Sequence, residues 1–269
     1  MSKIKNKLYK EFYSSFKKIN KNKIKNVFIT SDLSSLHKID IKNNQKIQII
    51  LKALIDSLGK GYTIFFPAAS LNLIGKKEFF DKKNTRTYSM GSLSEYIRKY
   101  KKCDRSNHPY WSILGIGKNS KILRSTSSHA FAHESAWSKM LELDTLQINL
   151  NIEPWNAVSL IHFVETIMGV PYRYNKEFQH SMKIDGKIYK KKFYLPVRFN
   201  SPKIRKKYNK NLIFFKIMKK NKKLFFNKNF YGQNIWSFKM RDFFEVSVKE
   251  LKRNIYTCVN KPIKKYKNY

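Results

Sequence analysis

Apolar residues alternate between two spacings along the first two-thirds of the chain. "KNVFITSDLSSLH" (25–37) and "YTIFFPA" (62–68) are rich in β-branched and aromatic residues and end in turn residues, which predicts two strands. Between them, "NQKIQIILKALIDSLGKG" (44–61) has apolar residues at helical spacing and stops at two glycines, which predicts a helix.

The same alternation continues to about residue 180. "WSILGIG" (111–117) and "LQINLNI" (146–152) predict strands, and "SLSEYIRKYKK" (92–102) predicts a helix with Ser92 and Glu95 as a capping box. "NAVSLIHFVETIMGVPYR" (156–173) predicts a buried helix. Strands that alternate with helices predict an α/β fold: a three-layer body with a largely parallel sheet.

The pattern changes after about residue 180. An Asp185-Gly186 pair between two alternating runs predicts a β-hairpin, and "NLIFFKIMKKNKKLFFNKNFYGQNIWSF" (211–238) continues as alternating sequence. A final helix is predicted from about Met240 to Tyr256. We therefore expect a single domain over 1–269, with an α/β body at about 25–180 and an antiparallel β extension with the final helix at about 181–269.

Composition changes this picture little. The chain has 269 residues, 42% of them apolar, enough for a full core. Its net charge of +38 allows attraction to phosphate-bearing partners, but Lys, Asn and Ile are enriched throughout, as an AT-rich genome would produce. The composition also allows a function without catalysis, in which a basic protein binds RNA or the ribosome through Lys interleaved with Phe and Tyr in the last third of the chain.

Several other classes of site receive no support from the sequence. Cys103 and Cys258 are far apart and in no zinc-binding spacing, and His129 and His133 have no evident third ligand, so no metal is expected. No signal peptide is predicted, because the lysine-rich N-terminal segment lacks an apolar core, and no apolar run is long enough to predict a transmembrane segment. These features predict a cytoplasmic protein.

His162 and Glu165 are unexpected in the apolar helix. At a spacing of three residues their side chains share one helix face, so the carboxylate can fix the imidazole tautomer and raise the basicity of its other nitrogen. A buried polar pair satisfied by its surroundings explains the same spacing, and the spacing alone favours that interpretation.

Two loops have features of a phosphate or pantetheine site. "SDLSSL" (31–36) combines hydroxyls with the start of a helix, and "RSNHPYWSILGIG" (105–117) has Arg105, Ser106 and His108 just before a strand. Neither segment requires a ligand, because an ordinary strand-to-helix turn with a Ser cap explains the first and a capped loop explains the second.

These motifs occur in a characteristic order: "SDLSSL", "YTIFFPA", "NTRTYSMGSLSEYIRK", "RSNHPYWSILGIGKN", "SAWSKMLELD" and "NAVSLIHFVETIMGVPYR". In that order the chain resembles the aminoglycoside 3-N-acetyltransferase family from about residue 25 to residue 255. The resemblance implies an α/β fold that binds acetyl-CoA in a cleft and transfers the acetyl group directly to an amine, without a metal. Two departures are Thr30-Ser31-Asp32-Leu33, where many members have His-Ser-Ser-Leu, and Ser135-Ala136-Trp137, where Ser-Pro-Trp is more usual.

The resemblance assigns roles to individual residues. His162 matches the catalytic histidine and would act as general base, and Glu165 matches the acidic residue that orients it. Ser31 to Ser35 or Ser112 would supply hydroxyl or backbone donors to the thioester oxygen. The cofactor-binding residues implied are Ser31, Asp32, Leu33, Ser34, Ser35, Arg105, Ser106, His108 and Ser112.

The resemblance implies an acceptor amine on an amino sugar, either of an antibiotic or of the cell envelope. Aminoglycosides are polycations, whereas this chain has 18 acidic residues against 56 Lys and Arg. Asp32, Glu134, Glu153 and Glu165 could still form a local acidic pocket. The charge balance favours an amino sugar on an anionic carrier, nucleotide-linked or lipid-linked, over a polycationic antibiotic. No specific binding of nucleic acid is expected.

Overall fold

The fold alternates helices and strands along most of the chain. The computed structural model describes residues 3–100, 102–184, 186–201, 204, 207–221, 224–230 and 233–259. The helices are α1 Lys3–Ile19, α2 Asn43–Leu58, α3 Gly91–Arg98, α4 Ala136–Glu142, α5 Pro154–Ala157, α6 Leu160–Ile167, α7 Asn211–Lys220 and α8 Met240–Arg253. The strands are β1 Asn26–Ser31, β2 Thr63–Pro67, β3 Phe80–Asp81, β4 Asp104–Arg105, β5 Ile113–Gly117, β6 Leu146–Leu150, β7 Arg173–Ile184, β8 Lys187–Arg198, β9 Phe226–Phe230 and β10 Gln233–Lys239. Short 3₁₀ helices span Ser34–Lys38, Leu71–Leu73 and Ser120–Ser125.

A seven-stranded sheet in the order β4-β5-β2-β1-β6-β10-β9 forms the centre of the molecule. β1 pairs in parallel with both β2 and β6, whereas β5, β4, β10 and β9 join in antiparallel fashion on the two sides. The predicted α/β class is confirmed, but the sheet is mixed and not largely parallel: parallel pairing is confined to the three central strands, because the strands on both sides run in the opposite direction. Their carboxyl ends meet at one edge, where open α/β sheets bind ligands.

Helices cover both faces of this sheet, as the three-layer prediction required. Phe28 on β1 points into a core shared with α4, α6, α7 and α8. Its neighbours Val27 and Ile29 point into a second core shared with α1, α2 and α3. Because successive strand residues face opposite sides, β1 is buried on both faces, which explains its uninterrupted apolar run from Val27 to Ile29.

The last third of the chain contributes to two sheets. β7 and β8 form the predicted hairpin, and β3 pairs with β7 to complete a small three-stranded sheet. Gly186 has a φ of 79° in the turn, and Asp185 lies outside the described residues. β9 and β10 extend the main sheet, so the antiparallel extension is continuous with the body.

Three local predictions are wrong. Residues 211–220 form a helix, because Ile213, Phe214 and Ile217 are buried at helical spacing while Phe215 is exposed. The capping box at the start of α3 does not form, because the Glu95 carboxylate binds Arg98 and Thr87 instead.

The third concerns residues 156–173, which do not form one helix. α5 ends at the extended residue Val158, and α6 begins two residues later. Gly169 adopts a positive φ of 58° just after α6, where a left-handed residue commonly ends a helix.

None of the helices in the described ranges is long and apolar enough to cross a membrane.

The register between β2 and β5 can be tested with a pair of glycines. Gly117 pairs with Thr63 and has a φ of 105°, and a β-carbon there would collide with the carbonyl oxygen of Tyr62. Gly61 has a similar φ of 80° and open space around it. Gly61→Ala should cost about 1–2 kcal/mol of unfolding free energy from backbone strain alone. Gly117→Ala should cost about 1–3 kcal/mol more, from overpacking. Denaturant unfolding measures both, and equal costs would contradict this register.

Candidate active site

A cavity of about 750 Å³ opens at the carboxyl edge of the parallel strands. Its walls come from the segments that follow β1, β2 and β6, together with the first turns of α2 and α3. A concave site of this size at such an edge is where an α/β fold binds small molecules. A predicted site residue that contacts a ligand should therefore line this cavity.

His162 lines this cavity from the first turn of α6. Its Nδ1 lies 3.0 Å from Oε2 of Glu165, one helical turn further on. Nineteen per cent of the imidazole is exposed, whereas the Glu165 side chain is completely buried. The ring also meets Phe131 and Trp111 edge-on, so it is held on three sides. Nε2 is the ring nitrogen left for a ligand in the cavity.

The Glu165 carboxylate is held by a ring of donors deep in the body. Tyr172 donates its hydroxyl to Oε1 over 3.1 Å, and the guanidinium Nε of Arg173 lies 2.8 Å from Oε2. Burial raises the pKa of Glu165, but the hydrogen bond to His162 and the charge of Arg173 outweigh it, and the pKa is lowered below its ordinary value. Glu165 is therefore an ionised, fully buried carboxylate.

The imidazole is neutral at physiological pH. Burial, and after it the positive charge of Arg173, lowers the pKa of His162 to about 4 against the opposing effect of Glu165. Glu165 raises the pKa of His162, in the direction that the sequence argument gave, but burial and Arg173 outweigh this effect. Nη2 of Arg173 lies 3.1 Å from Nδ1 of His162, and only the tautomer with its proton on Nδ1 gives Glu165 a hydrogen bond.

The first loop lies at the cavity as predicted. Ser31, Asp32, Leu33 and Ser34 line it, while Ser35 is not in its wall and accepts a hydrogen bond from Asn151. Asp32 accepts from the backbone amide of Ser34, which closes the turn after β1. This loop is a hydroxyl-bearing wall of the cavity.

The second predicted segment lies mostly behind the cavity. Arg105 is 4% exposed and donates to Ser112 and to the carbonyl oxygens of Thr85 and Ala68, so its guanidinium is already bonded to protein groups. Ser112 does line the cavity, but its hydroxyl donates to Ala68. Arg105 ties together the loops that form this wall and is not at its surface.

Ser106 and His108 also lie outside the cavity wall. The Ser106 hydroxyl accepts from the amide of Ile113, and the two backbones pair as well. His108 is buried, its Nδ1 accepts from the amide of Trp111, and its Nε2 lies 3.2 Å from the carbonyl oxygen of Tyr194. Both side chains hold the loop that leads into β5.

Four charged or titratable residues at or behind the cavity wall were not predicted as site residues from the sequence. Lys46, His37 and Lys210 line the cavity, and Arg173 completes the charged cluster behind His162. Lys46 lies in the apolar stripe of α2 one turn before Ile50, which is a signal that the sequence offered. No group of three or more metal-binding side chains occurs within the described ranges.

Comparison with known proteins agrees with this geometry. The family model described as Aminoglycoside 3-N-acetyltransferase matches residues 28–252. No curated protein matches the chain. The aminoglycoside acetyltransferase AAC(3)-Xa superposes with a TM-score of 0.77 at 13% identity, covering 91% of this chain and 92% of that one.

Two further solved structures share the fold. AAC-IIIb, as a binary complex with CoASH, has a TM-score of 0.73 at 13% identity, covering 90% of this chain and 96% of that chain. The YokD protein from Bacillus subtilis has a TM-score of 0.69 at 18% identity, covering 90% of this chain and 99% of that chain. Because the family model spans most of the sequence, this chain belongs to the aminoglycoside 3-N-acetyltransferase family.

Proposed function

We propose that the protein transfers the acetyl group of acetyl-CoA to the amine of an amino sugar, with His162 as general base. The observation that carries the proposal is the position of His162: its Nδ1 is turned to a buried carboxylate and the ring lines a large cavity. Family membership supplies the reaction class. The CoASH complex of AAC-IIIb supports acetyl-CoA as the donor.

The reaction needs one proton acceptor. As the neutral amine attacks the thioester carbonyl carbon, the N–C bond forms and Nε2 of His162 takes a proton from the nitrogen. The C–S bond then breaks, and the CoA thiolate recovers that proton from the imidazolium. The products are the N-acetyl amide and CoA thiol, with no acyl-enzyme. Glu165 holds the Nδ1 proton throughout and stabilises the imidazolium.

The thioester oxygen needs donors while it carries negative charge. The Ser112 hydroxyl already donates to Ala68, which leaves the first loop as the better source. The hydroxyls of Ser31 and Ser34 line the cavity and hydrogen bond to none of the described residues. We assign them this role.

The charges around the cavity support an acceptor on an anionic carrier. Of the four acidic residues considered from the sequence, only Asp32 lines the cavity. Glu134 is paired with Lys139 outside it, and Glu165 is sealed behind His162. Lys46 and Lys210 add positive charge to the wall. A polycation would meet few carboxylates here, whereas a nucleotide-linked or lipid-linked amino sugar would be attracted. The cytoplasmic location stays a prediction.

His162→Ala should lower turnover by about two to four orders of magnitude, because the amine must then lose its proton to water. CoA binding should persist, since the imidazole does not hold the carrier. Glu165→Gln should lower turnover less, because the imidazole remains, but should also lower the melting temperature, because Arg173 loses its charged partner. Thiol release and CoA titration measure these effects. His133→Ala, with an exposed imidazole, is the matched control. Wild-type turnover by His162→Ala would refute the base assignment.

The ionisation of His162 can be followed directly. Nitrogen-detected NMR titration should give a midpoint near pH 4, because burial and Arg173 disfavour the imidazolium. Arg173→Met should move that midpoint upward, towards the ordinary value of about 6.5. The signal is assigned by its loss in His162→Ala. A wild-type midpoint at or above 6.5 contradicts the electrostatics described here.

The acceptor class can be tested with three amines. A nucleotide-linked amino sugar should be used with a kcat/KM about tenfold or more above that of an aminoglycoside, because the cavity wall is basic. The same amino sugar without its nucleotide reports the contribution of the amine alone. A higher kcat/KM for the aminoglycoside would reverse the assignment of the carrier and leave the chemistry of His162 intact.

A further inference from the structure

The β7–β8 hairpin projects from the body next to its turn. Every residue from Lys187 to Lys192 is exposed. Tyr189 and Met182 are register partners, so their side chains point to the same side of the hairpin. Met182 is buried, yet Tyr189 is 45% exposed, so the end of β8 reaches beyond the part of the body that covers Met182. This end of the hairpin is available to a partner on both of its sides.

Apolar side chains are exposed at this end of the hairpin. Ile188 is 58% exposed and lies opposite Lys183 in the register of β7 and β8. Phe79, just before β3, is 40% exposed, and its ring centroid lies 5.6 Å from the ammonium nitrogen of Lys183. The two apolar side chains therefore flank the same lysine. We call Phe79, Lys183 and residues 187–191 the tip surface.

The tip surface is more basic than the composition of the chain explains. Five of the ten residues 183–192 are lysines, whereas 56 of the 269 residues of the whole chain are Lys or Arg. The same ten residues contain one acidic residue, Asp185, which lies outside the described residues. Glu177, further along β7, pairs with Lys192 over 3.1 Å. The remaining lysines at the end of the hairpin outnumber the carboxylates near them in sequence.

The combination of lysines with exposed apolar side chains indicates the chemistry of the partner. Strand pairing between two copies along β8 would bring lysines of one copy against lysines of the other, which is unfavourable. A nucleic acid would attract the lysines, but it offers no apolar phase to Ile188. An anionic membrane surface offers both, because its headgroups attract ammonium groups and its interface buries apolar side chains.

From these observations we propose that the tip surface docks the protein on anionic membranes. Ile188 enters the boundary between headgroups and acyl chains, and the lysines beside it contact the lipid phosphates. The contact is peripheral and reversible, because only a few apolar side chains are inserted. No residue of the tip surface lines the cavity, so the proposal is independent of the proposed function. Docking would place the protein on the surface that holds lipid-linked acceptors.

The test measures binding of the full chain to vesicles by sedimentation. One set of vesicles is phosphatidylcholine alone, and the other is an equal mixture of phosphatidylcholine and phosphatidylserine. The tip triple variant, Lys187→Gln with Lys190→Gln and Lys191→Gln, removes three charges, whereas Ile188→Ser removes an apolar side chain at unchanged charge. A matched control removes three charges from exposed positions on α7 and α8: Lys216→Gln, Lys219→Gln and Lys249→Gln.

The wild type should bind the mixed vesicles far more tightly than the neutral ones, and added salt should weaken this binding. The tip triple variant should weaken it about 100-fold, because each lysine near an anionic surface contributes about fivefold. Ile188→Ser should weaken it about 5- to 10-fold, because less apolar area is then buried in the interface. The control triple should stay within about threefold of the wild type, since its charges lie away from the contact.

Three results would overturn the proposal. The first is no preference of the wild type for the mixed vesicles, and the second is an equal loss of binding in the control triple, which would assign the effect to the charge of the whole chain. The third is binding of a single-stranded RNA that the tip triple abolishes while vesicle binding persists. The substituted positions are exposed, and the melting temperature confirms folding. Vesicle binding needs no acetyl transfer, so failure of the proposed function would be seen separately, as absence of turnover.

Discussion

The site depends on one buried negative charge. Glu165 has no exposed surface, and its carboxylate is ionised because the hydrogen bond to His162 and the charge of Arg173 outweigh the effect of burial on its pKa, while Tyr172 also donates to it. An isolated carboxylate at this depth would take up a proton or destabilise the fold. With these partners it instead fixes the imidazole of His162 at the cavity wall. The packing of α6 against the core therefore determines where the imidazole faces the cavity.

In the mechanism that we propose, the same cluster makes His162 a weak but available base. Arg173 stabilises Glu165, and its charge also disfavours protonation of His162. Together with burial, this charge keeps the imidazole neutral over the physiological pH range. A cavity whose wall carries Lys46 and Lys210 extends this positive environment to the ligand.

The spacing of apolar residues predicted the helices and strands that build the cavity. It failed where tertiary contacts decide between helix and strand. β1, β2, β6 and α2 have clear apolar patterns, so their existence and order followed from the sequence. Residues 211–220 have apolar residues that satisfy either period, and only burial of Ile217 against α8 selects the helix. The three-residue spacing correctly indicated contact between His162 and Glu165, because helix geometry alone dictates it.

Roles of individual charged residues were harder to predict, because a sequence does not show which acceptor a cation meets. Arg105 resembled a phosphate ligand in sequence, yet carbonyl oxygens from distant loops occupy its guanidinium. Lys46 resembled one of many lysines, yet it lies in a buried stripe. The composition of the chain hid the position of Lys46, because no single lysine stands out among 56 Lys and Arg residues.

The most direct test of His162 as the base is chemical rescue. His162→Gly leaves a space beside Glu165, into which free imidazole can diffuse from the cavity. The account predicts that turnover of this variant is restored saturably by imidazole, in proportion to its neutral fraction. No rescue by any imidazole in a folded variant that still binds CoA, or full turnover without imidazole, would contradict the account.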